Sequence, residues 1–259
     1  MPLSHDSFGT YGQGSARLPL RAARALDKAV TWAIGLLLAL ALAVSGYALW
    51  DSARVFDTSL TDGNGNALTF AQALAANPDV CAWITVPNTN IDYPVVRGSD
   101  DFEYLDKDAL GNPTASGAIF LGSECSTAFD EPYELMMGHH MQYGKMFGDL
   151  DKFLDEGFFN QNQQATLRLP SKTLNLQICA VLKADAYDGV LFSMPATQAR
   201  MQPLVQRIAE VAVFQRDGLP TEQDQVIALS TCASSGTNDR TILICRVADE
   251  HEEDNVSKG

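Results

Sequence analysis

Ala29 to Trp50 (AVTWAIGLLLALALAVSGYALW) is a run of 22 residues without a charge, ended by Asp51. As a helix rising 1.5 Å per residue it spans the roughly 30 Å hydrocarbon layer of a bilayer. Trp32 and Trp50, near its two ends, suit the membrane interfaces. Arg17, Arg21, Arg24 and Lys28 precede the run and only Arg54 closely follows it, so the positive-inside bias puts the N-terminus in the cytoplasm and everything after Asp51 outside. A cleaved signal peptide is the alternative, but its apolar region is shorter, typically about 7–15 residues. An uncleaved signal-anchor is therefore expected.

The chain then divides into a cytoplasmic tail (1–28), a transmembrane anchor (29–50), a spacer (51–65) containing DTSLTDGNGN, one domain (66–248) and an acidic tail (249–259). Of 18 basic and 32 acidic residues, residues 1–50 hold four (Arg17, Arg21, Arg24, Lys28) and two (Asp6, Asp27); 14 basic and 30 acidic remain, a net charge of −16. A nucleic-acid partner is not expected, because affinity for a polyanion rests on clustered Lys and Arg. Five Cys without a C-x-x-C pair and only four His give no zinc spacing and no disulfide framework, and no metal or cofactor is expected. The odd count leaves at least one thiol unpaired within the chain.

In the exported part most segments read as short strands. Ala67–Ala76 reads as a helix stopped at Asn77-Pro78, and Trp83–Val86, Tyr93–Val96 and Ala118–Leu121 as strands. Met146–Phe159 looks helical, Ala165–Leu169 and Leu174–Ala184 alternate like strands, and Thr197–Phe214 is the best helix after the anchor. Val226–Ser230 and Thr241–Val247 are apolar strands around the polar loop CASSGTNDR. The pattern predicts a mainly β fold, a barrel or sandwich with helical insertions.

Cys232 ends the strand VIALS beside a Gly-containing loop, with Arg240 nearby; a nucleophilic thiol would be exposed in such a place, although most free Cys are buried and structural. Leu135–Met137 reads as a strand running through Gly138 to His139 and His140. Neighbours at a strand end point to opposite sides, so at most one of the two His faces a given site, and an exposed loop His is the plain alternative.

ALSTC (228–232) with Arg240 eight residues later closely resembles the Thr-Leu-x-Thr-Cys…Arg signature of sortases. MGHHMQYGKMFGDL from Met137 resembles the Gly-His-x-Met…Met-Phe-x-x-Leu block of class B members, as NTNIDYPVVRGSDDFEYL (88–105) and SGAIFL (116–121) resemble two further class B blocks. Ala228, Gly122 and Arg97 depart from the usual Thr, Asp and Gln, and none of these changes removes a reactive group.

The resemblance implies an eight-stranded β-barrel with an N-terminal helix and the 197–214 helix before the Cys-bearing strand. It implies a transpeptidase that cuts a Leu-Pro-x-Thr-Gly or Asn-Pro-x-Thr sorting signal after Thr. Cys232 would form the thioacyl-enzyme, His139 would serve as acid and base, and Arg240 would bind the oxyanion or the substrate backbone. Expected partners are secreted proteins bearing the signal, and a lipid-linked peptidoglycan precursor or a pilin Lys as acceptor. Leu229, Ser230 and Thr231 would bind substrate, in a groove lined by the 197–214 helix and the loop before it. Asp130 is a candidate to orient His139. Cys179 and Cys245 are expected to be buried, and a disulfide from Cys125 is a further alternative. A cysteine peptidase or an acidic binding module with an incidental thiol are the competing readings.

Overall fold

The computed structural model describes residues 20–55, 61, 67–232 and 238–252. Residues 1–19 of the expected tail, most of the spacer, the loop at 233–237 and the end of the acidic tail lie outside them. Two units divide the chain at Ser52/Ala53. The first is dominated by helix α1 (Leu20–Val55), in which Ala22–Tyr47 is long and apolar enough to cross a membrane. A helix apolar on every side, with each backbone group bonded within the segment, suits hydrocarbon as solvent.

The second unit opens with α2 (Phe70–Ala76). Thr69 and Gln72 form a reciprocal cap at its start: the Gln72 N–H donates to Thr69 Oγ1 at 3.3 Å, and the Thr69 N–H to Gln72 Oε1 at 2.9 Å. Nine strands follow: β1 (Val80–Thr85), β2 (Asp92–Val96), β3 (Ile119–Leu121), β4 (Tyr133–Gly138), β5 (Gln164–Arg168), β6 (Lys172–Asp185), β7 (Ala212–Gln215), β8 (Val226–Thr231) and β9 (Asp239–Glu252). Their order is β5-β1-β2-β3-β4-β8-β9-β6-β7, and β5 also pairs with β6. That extra pairing closes a ring of eight strands and leaves β7 outside it on β6. The expected eight-stranded barrel is the observed one.

The barrel is filled by one face of its strands. Ile84, Leu121, Met136, Leu167, Ile227 and Leu243 share the interior with Phe147 and Phe153. β6 shows how both faces are used: Leu174, Leu176 and Ile178 point inward, a bulge at Cys179 shifts the phase, and Val181 then points inward while Ala180, Leu182 and Ala184 turn outward. The outward residues pack under α4 (Met201–Val211), which buries Met201, Leu204 and Ile208 at helical spacing.

Three sequence readings shift. The helix expected over 197–214 is a 3-10 turn (Gln198–Arg200) and α4, and its last residues become β7. The β-branched and aromatic stretch there pairs with β6, and Phe214 lies 5.9 Å from the Phe159 ring centre. The helix expected over 146–159 is a 3-10 turn (Gly148–Leu154) and α3 (Glu156–Gln161), divided at Asp155, which caps α3 by accepting the Phe158 N–H at 2.8 Å. The acidic run from Asp249 begins as strand: β9 pairs through Glu252 with Lys172, and Lys172 Nζ lies 3.1 Å from Glu250.

Candidate active site

The site follows from one parallel pairing. β4 and β8 run side by side in the same direction, with Gly138 opposite Thr231, so both strands end together and release His139 and Cys232 as neighbours. The Cys232 N–H donates to the Gly138 carbonyl at 2.6 Å and fixes that exit. β9 returns antiparallel to β8 with Ser230 opposite Ile242, and two residues further this register sets Arg240 opposite Cys232. Three strands thus deliver three chemistry-bearing side chains, His139 from one part of the chain and Cys232 and Arg240 from another, to one end of the barrel.

All three line a cavity of about 440 Å³. Its apolar lining includes Phe120, Leu135 and Met137 on the barrel wall and Phe192 and Met194 from the loop before α4; Asp101 and Glu124 add carboxylates. The loop therefore lines the groove as expected, whereas α4 adds no lining residue among those described.

His139 Nε2 lies 2.8 Å from the Leu105 carbonyl oxygen. A carbonyl only accepts, so Nε2 carries a proton and the tautomer is fixed. Gly117 makes this contact feasible. Its φ is +60°, and a Cβ there would come within 2.7 Å of the Leu105 oxygen and 3.2 Å of the His139 ring. Sequence reasoning passed over Leu105 and Gly117 as functional positions, and the glycine in SGAIFL was the available signal.

Arg240 is half-buried, and its Nη1 is buried without a hydrogen-bond partner among the described residues. A guanidinium nitrogen left open beside a thiol is a donor in place for an oxygen that arrives with substrate. Burial pushes the Cys232 thiol up to about 11, and the Arg240 charge acts the other way. At pH 7 burial therefore holds the thiol mainly in its neutral form.

Two expectations are corrected. Asp130 lies beside Glu134 near the start of β4, while His139 leaves at the other end, so Asp130 is not the partner of the imidazole. The six-residue strand between them accounts for roughly 20 Å. Leu229 and Ser230 are fully buried because β8 is covered on both faces, and of the three residues expected to bind substrate only Thr231 reaches the cavity. All five cysteines are free, and Cys81, Cys125, Cys179 and Cys245 are buried. Burial raises each of these four thiols, Cys81 and Cys125 to about 12. Among the described residues no cluster of three or more His, Cys, Asp or Glu is placed to hold a metal ion.

Residues 84–248 match the sortase domain family. Sortase B of Listeria monocytogenes is 26% identical over 178 residues, 68% of this chain and 72% of that protein. A Streptococcus pyogenes class B sortase involved in pilus biogenesis superposes with a TM-score of 0.62 at 33% identity, over 69% of this chain and 97% of the other. Sortase B of Clostridium perfringens superposes with a TM-score of 0.64 at 29% identity, over 70% and 100%. With its barrel, its shared strand ends and these relatives, the chain belongs to the sortase family of cysteine transpeptidases, in the class B branch.

Proposed function

We propose that the enzyme cleaves a C-terminal sorting signal of the Leu-Pro-x-Thr-Gly or Asn-Pro-x-Thr type after Thr and transfers the new carboxyl end to a peptidoglycan amine. The observation that supports this reading is the meeting of Cys232, His139 and Arg240 on one cavity. Cys232 starts as a neutral thiol, so its proton passes to neutral His139 as sulfur bonds to the Thr carbonyl carbon. The carbonyl oxygen takes negative charge beside Arg240, whose open Nη1 donates to it. Collapse breaks the C–N bond, and the imidazolium gives its proton to the departing amine. In the second half an incoming amine attacks the thioester, loses a proton to His139 and returns the thiol.

On this reading the apolar run of α1 is an uncleaved anchor, with Arg17, Arg21, Arg24 and Lys28 before that run on the cytoplasmic side and the barrel outside. A tethered enzyme meets secreted precursors and a lipid-linked acceptor at the same surface. A second acceptor, a pilin Lys, is favoured by the 33% identity to the S. pyogenes class B sortase, which is involved in pilus biogenesis.

The test incubates purified protein with a sorting-peptide panel and either a cell-wall amine or a pilin. Mass spectrometry should find a thioacyl adduct on Cys232 and transfer to the cell-wall amine; transfer to pilin Lys alone would replace wall anchoring with pilus assembly. Cys232→Ala should abolish cleavage and transfer, and His139→Ala and Arg240→Ala should each lose at least ~100-fold in kcat/KM. Release of free acid that amines never divert would make it a peptidase.

A further inference from the structure

We propose that Asp151 is a positioning residue that sets His139 and Arg240 at their working separation across Cys232, an inference that rests on the roles assigned above. Asp151 lies outside the cavity lining and in none of the strands. Both of its carboxylate oxygens are nevertheless engaged with segments that carry the site. Oδ2 accepts from His140 Nε2 at 2.7 Å, and Oδ1 accepts from the Thr241 hydroxyl at 2.6 Å. His140 adjoins His139, and Thr241 adjoins Arg240. One carboxylate therefore ties the exit of β4 to the start of β9.

Two further bonds complete the frame. The Thr241 N–H donates to Thr231 Oγ1 at 3.0 Å, and the Cys232 N–H donates to the Gly138 carbonyl. Asp151, Thr241, Thr231, Cys232, Gly138 and His140 thus form a closed circuit through the three elements that present the reacting groups. Thr231 and Thr241 are buried, 3% and 2% exposed, so their links are shielded from competing water. The circuit also gives His140 a role that the sequence left empty.

The turn that presents Asp151 is firmly seated. Asp149 in the same turn is buried and accepts the Asn90 N–H at 2.8 Å and Lys152 Nζ at 2.8 Å, while Leu150 and Phe153 are sealed in the barrel. A carboxylate on such a base acts as a fixed strut. Catalytic geometry tolerates errors of only about 0.5 Å, so a strut of this kind bears on turnover more than on substrate binding.

The test uses the full-length protein in detergent, with a sorting-type peptide panel, a cell-wall amine, and iodoacetamide as a probe that needs no substrate. Asp151→Ala should lower kcat at least tenfold with KM changed less than threefold, and Asp151→Asn, which retains an acceptor for Thr241, should recover most of it. Thr241→Val should match Asp151→Ala, and the double variant should lose little more, because both remove the same bond. Alkylation of Cys232 should slow at least threefold in Asp151→Ala, toward the rate of Arg240→Ala.

A wild-type kcat and alkylation rate in Asp151→Ala would overturn the proposal, as would a rise in KM at constant kcat or full additivity with Thr241→Val. A drop in kcat that tracks loss of folded protein by circular dichroism would also overturn it. Failure of the catalytic assignment is separate, because Cys232→Ala would then retain activity whatever Asp151 does.

Discussion

At the residue scale the Cys232 thiol is the nucleophile we propose, and its environment opposes ionisation. Burial raises it to about 11 while Arg240 pulls it down. Alkylation by iodoacetamide, mapped to the Cys232 peptide, should therefore keep accelerating roughly tenfold per pH unit from pH 7 to 10, rather than levelling near the pKa of about 8.5 of a free thiol. Arg240→Ala should move the midpoint higher still, because it removes the charge that favours thiolate. A plateau near pH 8.5 would refute this. The second residue-scale constraint is Gly117. In Gly117→Ala the new methyl meets the carbonyl that holds His139, at a φ that costs a non-glycine residue about 1–2 kcal/mol. The protein should stay folded by circular dichroism while kcat falls at least tenfold; unchanged kcat would show that the Leu105 bond does not govern the imidazole.

At the element scale β4 combines function and risk. Its far end presents His139, yet its second residue, Glu134, is fully buried. Glu134 Oε1 accepts the Glu131 N–H at 3.0 Å, and Oε2 has no partner among the described residues. Burial, with the nearby Glu131 and Asp130 charges, raises the Glu134 carboxyl to about 8. The folded state thus keeps this proton up to about pH 8, whereas the unfolded chain releases it near the ordinary value of 4.5. Stability from this group is fully present below pH 4.5 and is lost as pH rises toward 8. Glu134→Gln should flatten the fall in Tm between pH 5 and 8 and raise Tm at pH 8 by about 5 °C or more. A steeper fall in the variant would refute the assignment. This element also shows what sequence makes legible. The strand and its His exit were readable from the apolar run before Gly138. Asp130 was misplaced because nearness in sequence becomes distance along an extended strand. β7 was hidden because its residues continue a helical pattern, and only the exposed edge of β6 recruits them as strand.

At the scale of the whole molecule, closure of the barrel decides which parts of the site could be foreseen. His139, Cys232 and Arg240 were legible because each sits at a strand end with recognisable neighbours. The cavity around them was legible only in part: the loop that carries Phe192 and Met194 was expected to line it, whereas Phe102 comes from a loop whose approach depends on the closed ring. The same assembly gives the net charge of −16 on residues 51–259 an address: Asp101 and Glu124 line the cavity that holds Cys232. Asp101 Oδ1 accepts the Ser123 N–H at 2.7 Å, which holds the first carboxylate against the backbone of the residue before Glu124. Two carboxylates on the cavity would favour a cationic side chain at the variable position of a bound peptide. Peptides with Lys there should show kcat/KM several-fold above matched peptides with Glu at 50 mM salt. The gap should narrow at 0.5 M salt, where screening shortens to about 4 Å. Asp101→Asn with Glu124→Gln should erase the preference without lowering turnover of an uncharged peptide, since neither residue takes part in the proton transfers. A preference that survives both substitutions would place the selecting group elsewhere in the groove.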